Sequence, residues 1–179
     1  PLDQVIGTKT AGRTPAFSGN FMPLLDEQTE FCAKWCNVYN YQIEKGIDDP
    51  ILVYEYMNRF YVQEGNKRVS VLKYLHSYSI SATVIRLIPK KNENPEVRLY
   101  YEFLDFYEIT ANYSIRFEKE GRYKRLLKAM ELTPDTPFDK DEQKCFRQVY
   151  EIFEQVFYKL HSDDIHLSIA DAFLKYVEL

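Results

Sequence analysis

The chain contains few of the residues on which several specialised protein classes depend. Its 179 residues include three cysteines, six glycines, one tryptophan and three histidines. Three cysteines are too few for a disulfide framework and indicate a reducing compartment. No run approaches the roughly eighteen apolar residues of a membrane-spanning helix, and no secretory leader is recognisable. We therefore expect a cytoplasmic protein without membrane contact.

An excess of positive charge is also missing. The net charge is −4 at pH 7, whereas nucleic-acid-binding domains usually carry a basic face. Residues 1–95 hold 11 basic and 10 acidic side chains, and residues 96–179 hold 12 and 17. DNA binding is therefore only a second alternative function, and the acidic second half is the poorer candidate for it.

Aromatic residues, by contrast, are abundant. Fifteen tyrosines and twelve phenylalanines accompany a hydrophobic fraction of 45%, which favours a well-packed globular protein over a disordered chain. Strand and helix patterns both occur in residues 1–95, whereas residues 96–179 have mainly helical periodicity. We expect an α+β protein with one domain over residues 1–95 and a mainly helical C-terminal extension over residues 96–179.

The most informative stretch is residues 46–75. An apolar run at residues 51–54 predicts a strand, and a second strand is predicted at residues 60–62 after a break, so the two form a hairpin. The period then changes, because apolar residues from Val69 to Leu75 recur at helical spacing. The sequence therefore predicts a direct strand-to-helix transition.

The transition consists of Glu64, Gly65, Asn66, Lys67 and Arg68, which we call the glycine turn. Glycine adopts positive φ without a Cβ penalty and lets a ligand approach the backbone closely. The first turn of a helix leaves N–H groups unpaired and carries a partial positive charge, which favours phosphate or carboxylate. Two cationic side chains add full charges. The sequence therefore predicts an anion site suited to polyphosphate.

A second candidate loop spans residues 7–14, with the sequence G-T-K-T-A-G-R-T. Small hydroxyl residues and glycines can surround phosphate with hydroxyls and backbone N–H groups. The order is similar to a Walker loop, but Arg13 stands where the lysine is required. We expect Thr8 and Arg13 to close over the main site.

Several of these features together resemble the ParB/sulfiredoxin fold. Residues 46–51, G-I-D-D-P-I, resemble the family's G-x-x-x-P-[IL] entry into a strand pair, and residues 65–68, G-N-K-R, its G-x-x-R turn before a helix. Residues 2–6 are similar to the first strand, and Arg13 falls where ParB domains place an arginine. The resemblance also implies a helix over residues 21–45 and a strand over residues 80–87. It covers about the first ninety residues and implies a small mixed sheet with helices.

The resemblance implies a nucleotide at the glycine turn. ParB proteins bind cytidine triphosphate at a G-E-R-R box, sulfiredoxins bind adenosine triphosphate at G-C-H-R, and a ParB-like free-serine kinase uses a related turn. A nucleoside triphosphate with Mg²⁺ is the cofactor this implies. The version with Glu64 before the glycine and Asn-Lys after it most resembles an uncharacterised branch of ParB-like domains from anaerobic Gram-positive bacteria.

This chain also departs from those relatives. Asn66 stands in place of the sulfiredoxin cysteine, so sulfinic-acid reduction, which needs a thiolate, is not expected. Asn66 and Lys67 replace the glutamate and first arginine of the ParB box, so cytidine specificity does not carry over. Gly65 and Arg68 do carry over.

Beyond residue 95 the pattern is helical. Apolar spacing predicts four helices: over residues 95–110, after Gly121 through residue 132, over residues 146–160 and over residues 169–177. Residues 113–117 alternate like a short strand, and residues 133–138 indicate a linker. The apolar stripes are most simply core, with a surface for a protein partner as the alternative.

Cysteines and histidines do not form a recognisable metal motif. Cys32 and Cys36 stand four apart on a predicted helix, so they share one face; a metal or redox pair is conceivable, and burial as small apolar residues is favoured. His161 and His166 are expected near a junction of two helices. We predict no metal site and no histidine-based nucleophile.

Two classes of function remain. The first is a nucleotide- or phosphate-binding module, regulatory or part of a larger protein, that signals occupancy to a protein partner or fused domain. The second, the alternative, is a phosphotransferase or nucleotide hydrolase in which Glu64 acts as general base or assists a metal.

Overall fold

The structure, a computed structural model, describes residues 1–160 and 167–179. His161 and His166, expected near a helix junction, lie outside the described residues. The chain divides into two compact units, Pro1–Pro89 and Lys90–Leu179, and each has its own buried core. Together they form a mixed α+β structure, as the sequence predicts. No described helix is both long enough and apolar enough to cross a membrane.

A four-stranded mixed sheet organises the first unit. Its strands are β1 (Val5–Thr8), β2 (Ile51–Tyr56), β3 (Arg59–Glu64) and β4 (Ala82–Arg86), in the spatial order β1-β3-β2-β4. Strands β2 and β3 are antiparallel, whereas β1 runs parallel to β3 and β4 parallel to β2. A 3-10 helix (Ala11–Ala16) and two α helices, α1 (Glu30–Lys45) and α2 (Asn66–Tyr74), complete this unit.

The predicted hairpin is confirmed, with longer strands than the apolar runs indicated. Met57 and Asn58 both have positive φ, at 51° and 62°, which is the conformation of a two-residue type I′ turn. Glu55 is fully buried and accepts hydrogen bonds from the Asn58 N–H at 2.7 Å and from Arg86 Nε at 2.9 Å. One carboxylate therefore joins the hairpin turn to the neighbouring strand β4.

Helix α1 is shorter than the 21–45 segment that the resemblance assigned to it. Phe17 and Pro23 form an isolated β-bridge, and the helix begins only after Thr29, whose hydroxyl accepts a hydrogen bond from the Cys32 N–H. Cys32 and Cys36 share one face, as predicted. The expectation that both are buried is wrong, because Cys36 is exposed and Cys32 is partly exposed.

The second unit contains four described α helices. They are α3 (Pro95–Thr110), α4 (Arg122–Ala129), α5 (Lys140–Leu160) and α6 (Ile169–Val177). The predicted starts of α3 and α6 are confirmed. The structure shows that the side chain of Asn94 caps α3 ahead of Pro95 and that the side chain of Ser168 caps α6. Helix α4 ends earlier than predicted, where Glu131 turns to a φ of +57°.

The strand predicted at residues 113–117 is wrong. The side-chain oxygen of Asn112 accepts hydrogen bonds from the N–H groups of Ser114 and Ile115, at 2.7 and 3.1 Å. A short side chain that bonds to the backbone two and three residues ahead stabilises a turn in competition with strand pairing. The alternation of residues 113–117 instead places Ile115 and Phe117 in the aromatic core.

Tyr123 is the centre of that core. It is 1% exposed, its ring lies 4.9 Å from that of Phe117 and 5.2 Å from that of Phe106, and its hydroxyl donates to the Ile115 carbonyl at 3.3 Å. Burial raises the pKa of Tyr123 to about 12, against an opposing hydrogen bond with the Phe117 backbone. The folded unit therefore holds this proton more tightly than the unfolded chain does.

We predict a loss of stability at alkaline pH that depends on Tyr123. The stability that its raised pKa contributes is present below about pH 10 and is lost as the pH rises towards 12, by roughly 3 kcal/mol. The free energy of unfolding, measured with denaturant between these pH values, should fall less in Tyr123→Phe than in the parent chain. Tyr158 is exposed, so Tyr158→Phe should show the same fall as the parent chain. Equal declines in all three proteins would contradict the prediction.

Candidate functional site

The glycine turn joins the last residue of β3 to the first residue of α2. Gly65 has φ +100° and ψ 18°, in the left-handed region. A Cβ at this position would lie 2.4 Å from Ile51 Cγ2 and 3.0 Å from Ile51 Cβ. Backbone conformation and packing against β2 therefore both require glycine, and the strand-to-helix transition predicted from the sequence is confirmed.

The first turn of α2 presents backbone donors at this point. The first N–H that bonds within the helix is that of Val69, which donates to the Gly65 carbonyl at 3.0 Å. The N–H groups of the first turn precede it, and helix geometry places no carbonyl of the same helix within their reach. Gly65 has no side chain with which to cap them. This end of the helix is thus electropositive and open to an anion.

A cavity of about 360 Å³ lies against the turn. This volume is within the usual range for small-molecule sites. The cavity is lined by all five residues of the glycine turn and by three further residues, Phe17, Val38 and Gln63. The structure therefore brings together the main group of predicted site residues. None of the three further residues was predicted from the sequence, and Phe17 and Val38 come from distant parts of the chain.

Two residues of the lining carry buried polar atoms. Asn66 is only 8% exposed. Among the residues that the structure describes, neither Asn66 Oδ1 nor Gln63 Oε1 has a hydrogen-bond partner. A buried acceptor without a donor costs free energy, and such costs are commonly tolerated where a ligand supplies the donor. Gln63 and Asn66 both line the same cavity as the helix N-terminus.

The two cations of the turn have different surroundings. The Nη1 atom of Arg68 donates to the main-chain oxygens of Asp49 and Pro50, at 2.7 and 3.1 Å. Arg68 therefore fastens the segment that enters β2 to the start of α2. The ammonium of Lys67 lies 4.8 Å from the centre of the Phe31 ring on α1, a distance at which a cation is attracted to the ring face.

Thr8 and Arg13 were expected to close over this site. The hydroxyl of Thr8 donates to the Val62 carbonyl at 3.1 Å, so it reinforces the pairing of β1 with β3, and Thr8 is not among the cavity-lining residues. Arg13 lies in the 3-10 helix, and its side chain is outside what the structure describes.

Glu64 is exposed at the end of β3 and contributes to the cavity wall. A carboxylate beside a phosphate site can hold a hydrated Mg²⁺ or orient a water molecule. No group of three or more His, Cys, Asp or Glu side chains suited to a metal occurs in residues 1–160 and 167–179. Any Mg²⁺ here would therefore need oxygens from the ligand as well as from Glu64.

A larger cavity, about 740 Å³, lies at the opposite end of α2. It contains Lys73, whose ammonium donates to the Val5 carbonyl at 2.7 Å. Burial lowers the pKa of Lys73, against the opposing charge of Asp3. A helix C-terminus is electronegative, so this cavity is a poorer anion site than the glycine turn despite its volume.

Comparisons with known proteins return no match. No family model, no curated protein and no solved structure is significantly similar to this chain.

We predict that Gly65→Ala destabilises the first unit more than a matched glycine substitution destabilises the second. Gly121 also precedes a helix in the left-handed region, at φ +81°, but a Cβ there would meet nothing within 4 Å. Gly121→Ala should lower the free energy of unfolding only by the cost of holding an alanine in the left-handed region, roughly 1–2 kcal/mol. Gly65→Ala should cost about 1–3 kcal/mol more, because Ile51 must move. Denaturant unfolding of both variants measures the difference, and equal costs would show that the Ile51 contact is unimportant.

Proposed function

We propose that this protein is a ParB-like module that binds a nucleotide or another phosphate-bearing anion at the glycine turn. The observation that carries the proposal is the cavity at the N-terminus of α2, which is lined by the start of the helix, by Lys67 and by two residues with buried, unpartnered acceptors, Gln63 and Asn66. The G-x-x-R pattern of Gly65 and Arg68 supports the same assignment through its resemblance to the ParB/sulfiredoxin fold. The proposed setting is the cytoplasm.

Phosphate oxygens would occupy the end of the helix. Backbone N–H groups there can donate to phosphate oxygens without any side-chain rearrangement. The ammonium of Lys67 is a mobile point charge that can follow the phosphate. Arg68 uses Nη1 to hold the Asp49–Pro50 carbonyls, and its remaining N–H donors are available to a phosphate at the same helix end.

The rest of the ligand would fill the cavity. Phe17 and Val38 offer apolar surface, which suits the flat face of a base better than it suits a bare phosphate. Asn66 Oδ1 and Gln63 Oε1 need hydrogen-bond donors, which sugar hydroxyls or an exocyclic amine would supply. A nucleoside triphosphate with Mg²⁺ meets each of these requirements.

Because strand β3, helix α2 and helix α1 all contribute residues to the site, occupancy would restrain three elements at once. A ligand that binds only the folded state stabilises it by an amount that grows with the logarithm of the ligand concentration above the dissociation constant. Such stabilisation provides the signal that a regulatory module passes to a protein partner or fused domain.

The alternative is a phosphotransferase or nucleotide hydrolase. It is favoured by one observation, the position of Glu64 in the wall of the same cavity. There the carboxylate would hold Mg²⁺ or orient the attacking group, and catalysis would rest on positioning.

Binding is tested by titrating ATP, CTP and GTP with Mg²⁺, and tripolyphosphate alone, while recording the unfolding temperature and released phosphate. At a hundred times the dissociation constant, a ligand should stabilise the fold by about 2.7 kcal/mol. We expect at least one nucleotide to stabilise more than tripolyphosphate does. Stabilisation without phosphate release supports the binding module, and release that Glu64→Gln abolishes supports the enzyme.

Two substitutions locate the ligand. Lys67→Ala should weaken binding about tenfold or more, because a hydrogen bond to a charged group is worth roughly 1.5–3 kcal/mol. Arg68→Ala should weaken binding and also lower the unfolding temperature of the free protein, since it removes the bonds to Asp49 and Pro50. Lys45→Ala is the matched control, because Lys45 lies 5.8 Å from the Tyr41 ring, outside the cavity. Equal binding by Lys67→Ala and Lys45→Ala would place the ligand elsewhere.

A further inference from the structure

Helix α1 carries a pair of thiols that the proposed nucleotide site does not use. Cys32 and Cys36 are one helical turn apart, and their sulfur atoms are separated by 4.0 Å. Both are free thiols, Cys36 is exposed and Cys32 is partly exposed. The pair is therefore accessible from solvent and already brought together by the helix.

The helix geometry opposes a disulfide between them. Residues four apart on a helix have Cβ atoms about 5–6 Å apart, whereas a disulfide requires Cβ atoms roughly 3.5–4.5 Å apart. Forming the bond would require α1 to distort over this turn. A bridge that adds length between the two sulfurs does not have this requirement.

A shared metal ion adds the required length. Metal–thiolate bonds of about 2.3 Å allow two sulfurs on one ion to be up to roughly 4.6 Å apart, so the observed 4.0 Å is within reach without movement of the backbone. We propose that Cys32 and Cys36 form a two-thiolate site for a soft monovalent ion, Cu(I).

A ligand set of only two thiolates suits Cu(I) better than Zn²⁺. Thiolates are soft ligands that select Cu(I), and a d¹⁰ monovalent ion is satisfied by two of them. Structural zinc requires four ligands, and no group of three or more His, Cys, Asp or Glu side chains that could hold a metal is found in the described parts of the chain. The pair therefore lacks the further protein ligands that zinc would need.

The local charges bear on the site in two ways. Burial, and then the hydrogen bond and charge of Cys36, raise the pKa of the Cys32 thiol, with smaller contributions from Glu27 and Asp26. A bound ion must consequently displace protons from the pair. The same two carboxylates favour a cation at this position, because they place negative charge beside it.

The test is anaerobic titration of the whole chain with Cu(I) in competition with a chromogenic Cu(I) chelator. The parent chain should withdraw one equivalent of Cu(I) and develop an ultraviolet thiolate-to-copper absorption band. Cys32→Ser and Cys36→Ser should each weaken binding by more than the roughly 10–100-fold typical of losing a metal's outer-shell partner. Cys145→Ser is the matched control, since Cys145 is an exposed thiol on another helix, and it should bind like the parent.

Circular dichroism of each variant checks that α1 still forms, and size-exclusion chromatography checks that the loaded protein is a single chain. X-ray absorption of the loaded protein should show two sulfur neighbours to copper. The proposal is overturned if Cys32→Ser or Cys36→Ser binds as tightly as Cys145→Ser. It is also overturned if the copper bridges two chains, or if the parent chain does not compete with the chelator. A lost nucleotide site would leave every one of these results unchanged.

Discussion

The contact between Gly65 and Ile51 is the constraint on which the first unit depends. At this point β3 ends, the backbone enters the left-handed region and α2 starts against the side chain of Ile51 on the neighbouring strand β2. A side chain at position 65 would separate the helix from the sheet. The packing that fixes α2 is therefore also what exposes its N-terminus to the cavity.

The surrounding interactions reinforce this arrangement from two sides. Arg68 reaches back to the carbonyls before β2, and the buried Glu55 ties the hairpin turn to β4. Both interactions hold the hairpin in one position relative to its neighbours. An anion site built on backbone N–H groups needs such rigidity, because its donors cannot adjust by rotating a side chain.

Much of the local structure could be predicted from the sequence. The hairpin, the strand-to-helix transition and the start of α3 follow from short-range rules on glycine, capping residues and apolar period. The prediction failed where a side chain competed with the backbone pattern: Asn112 bonds to the N–H groups that follow it and prevents a strand at residues 113–117. The five residues of the glycine turn were predicted together because they are adjacent in the chain.

The sequence by itself determined the strand, turn and helix at residues 59–74 and predicted an anion site there, since both depend on neighbours within a few positions. Only the tertiary structure decided what surrounds the turn. Phe17 and Val38 reach the cavity from distant segments, the hydroxyl of Thr8 is used in sheet pairing, and Cys36 is exposed, not buried. These outcomes depend on how strands and helices pack across long separations in sequence, which no local pattern encodes.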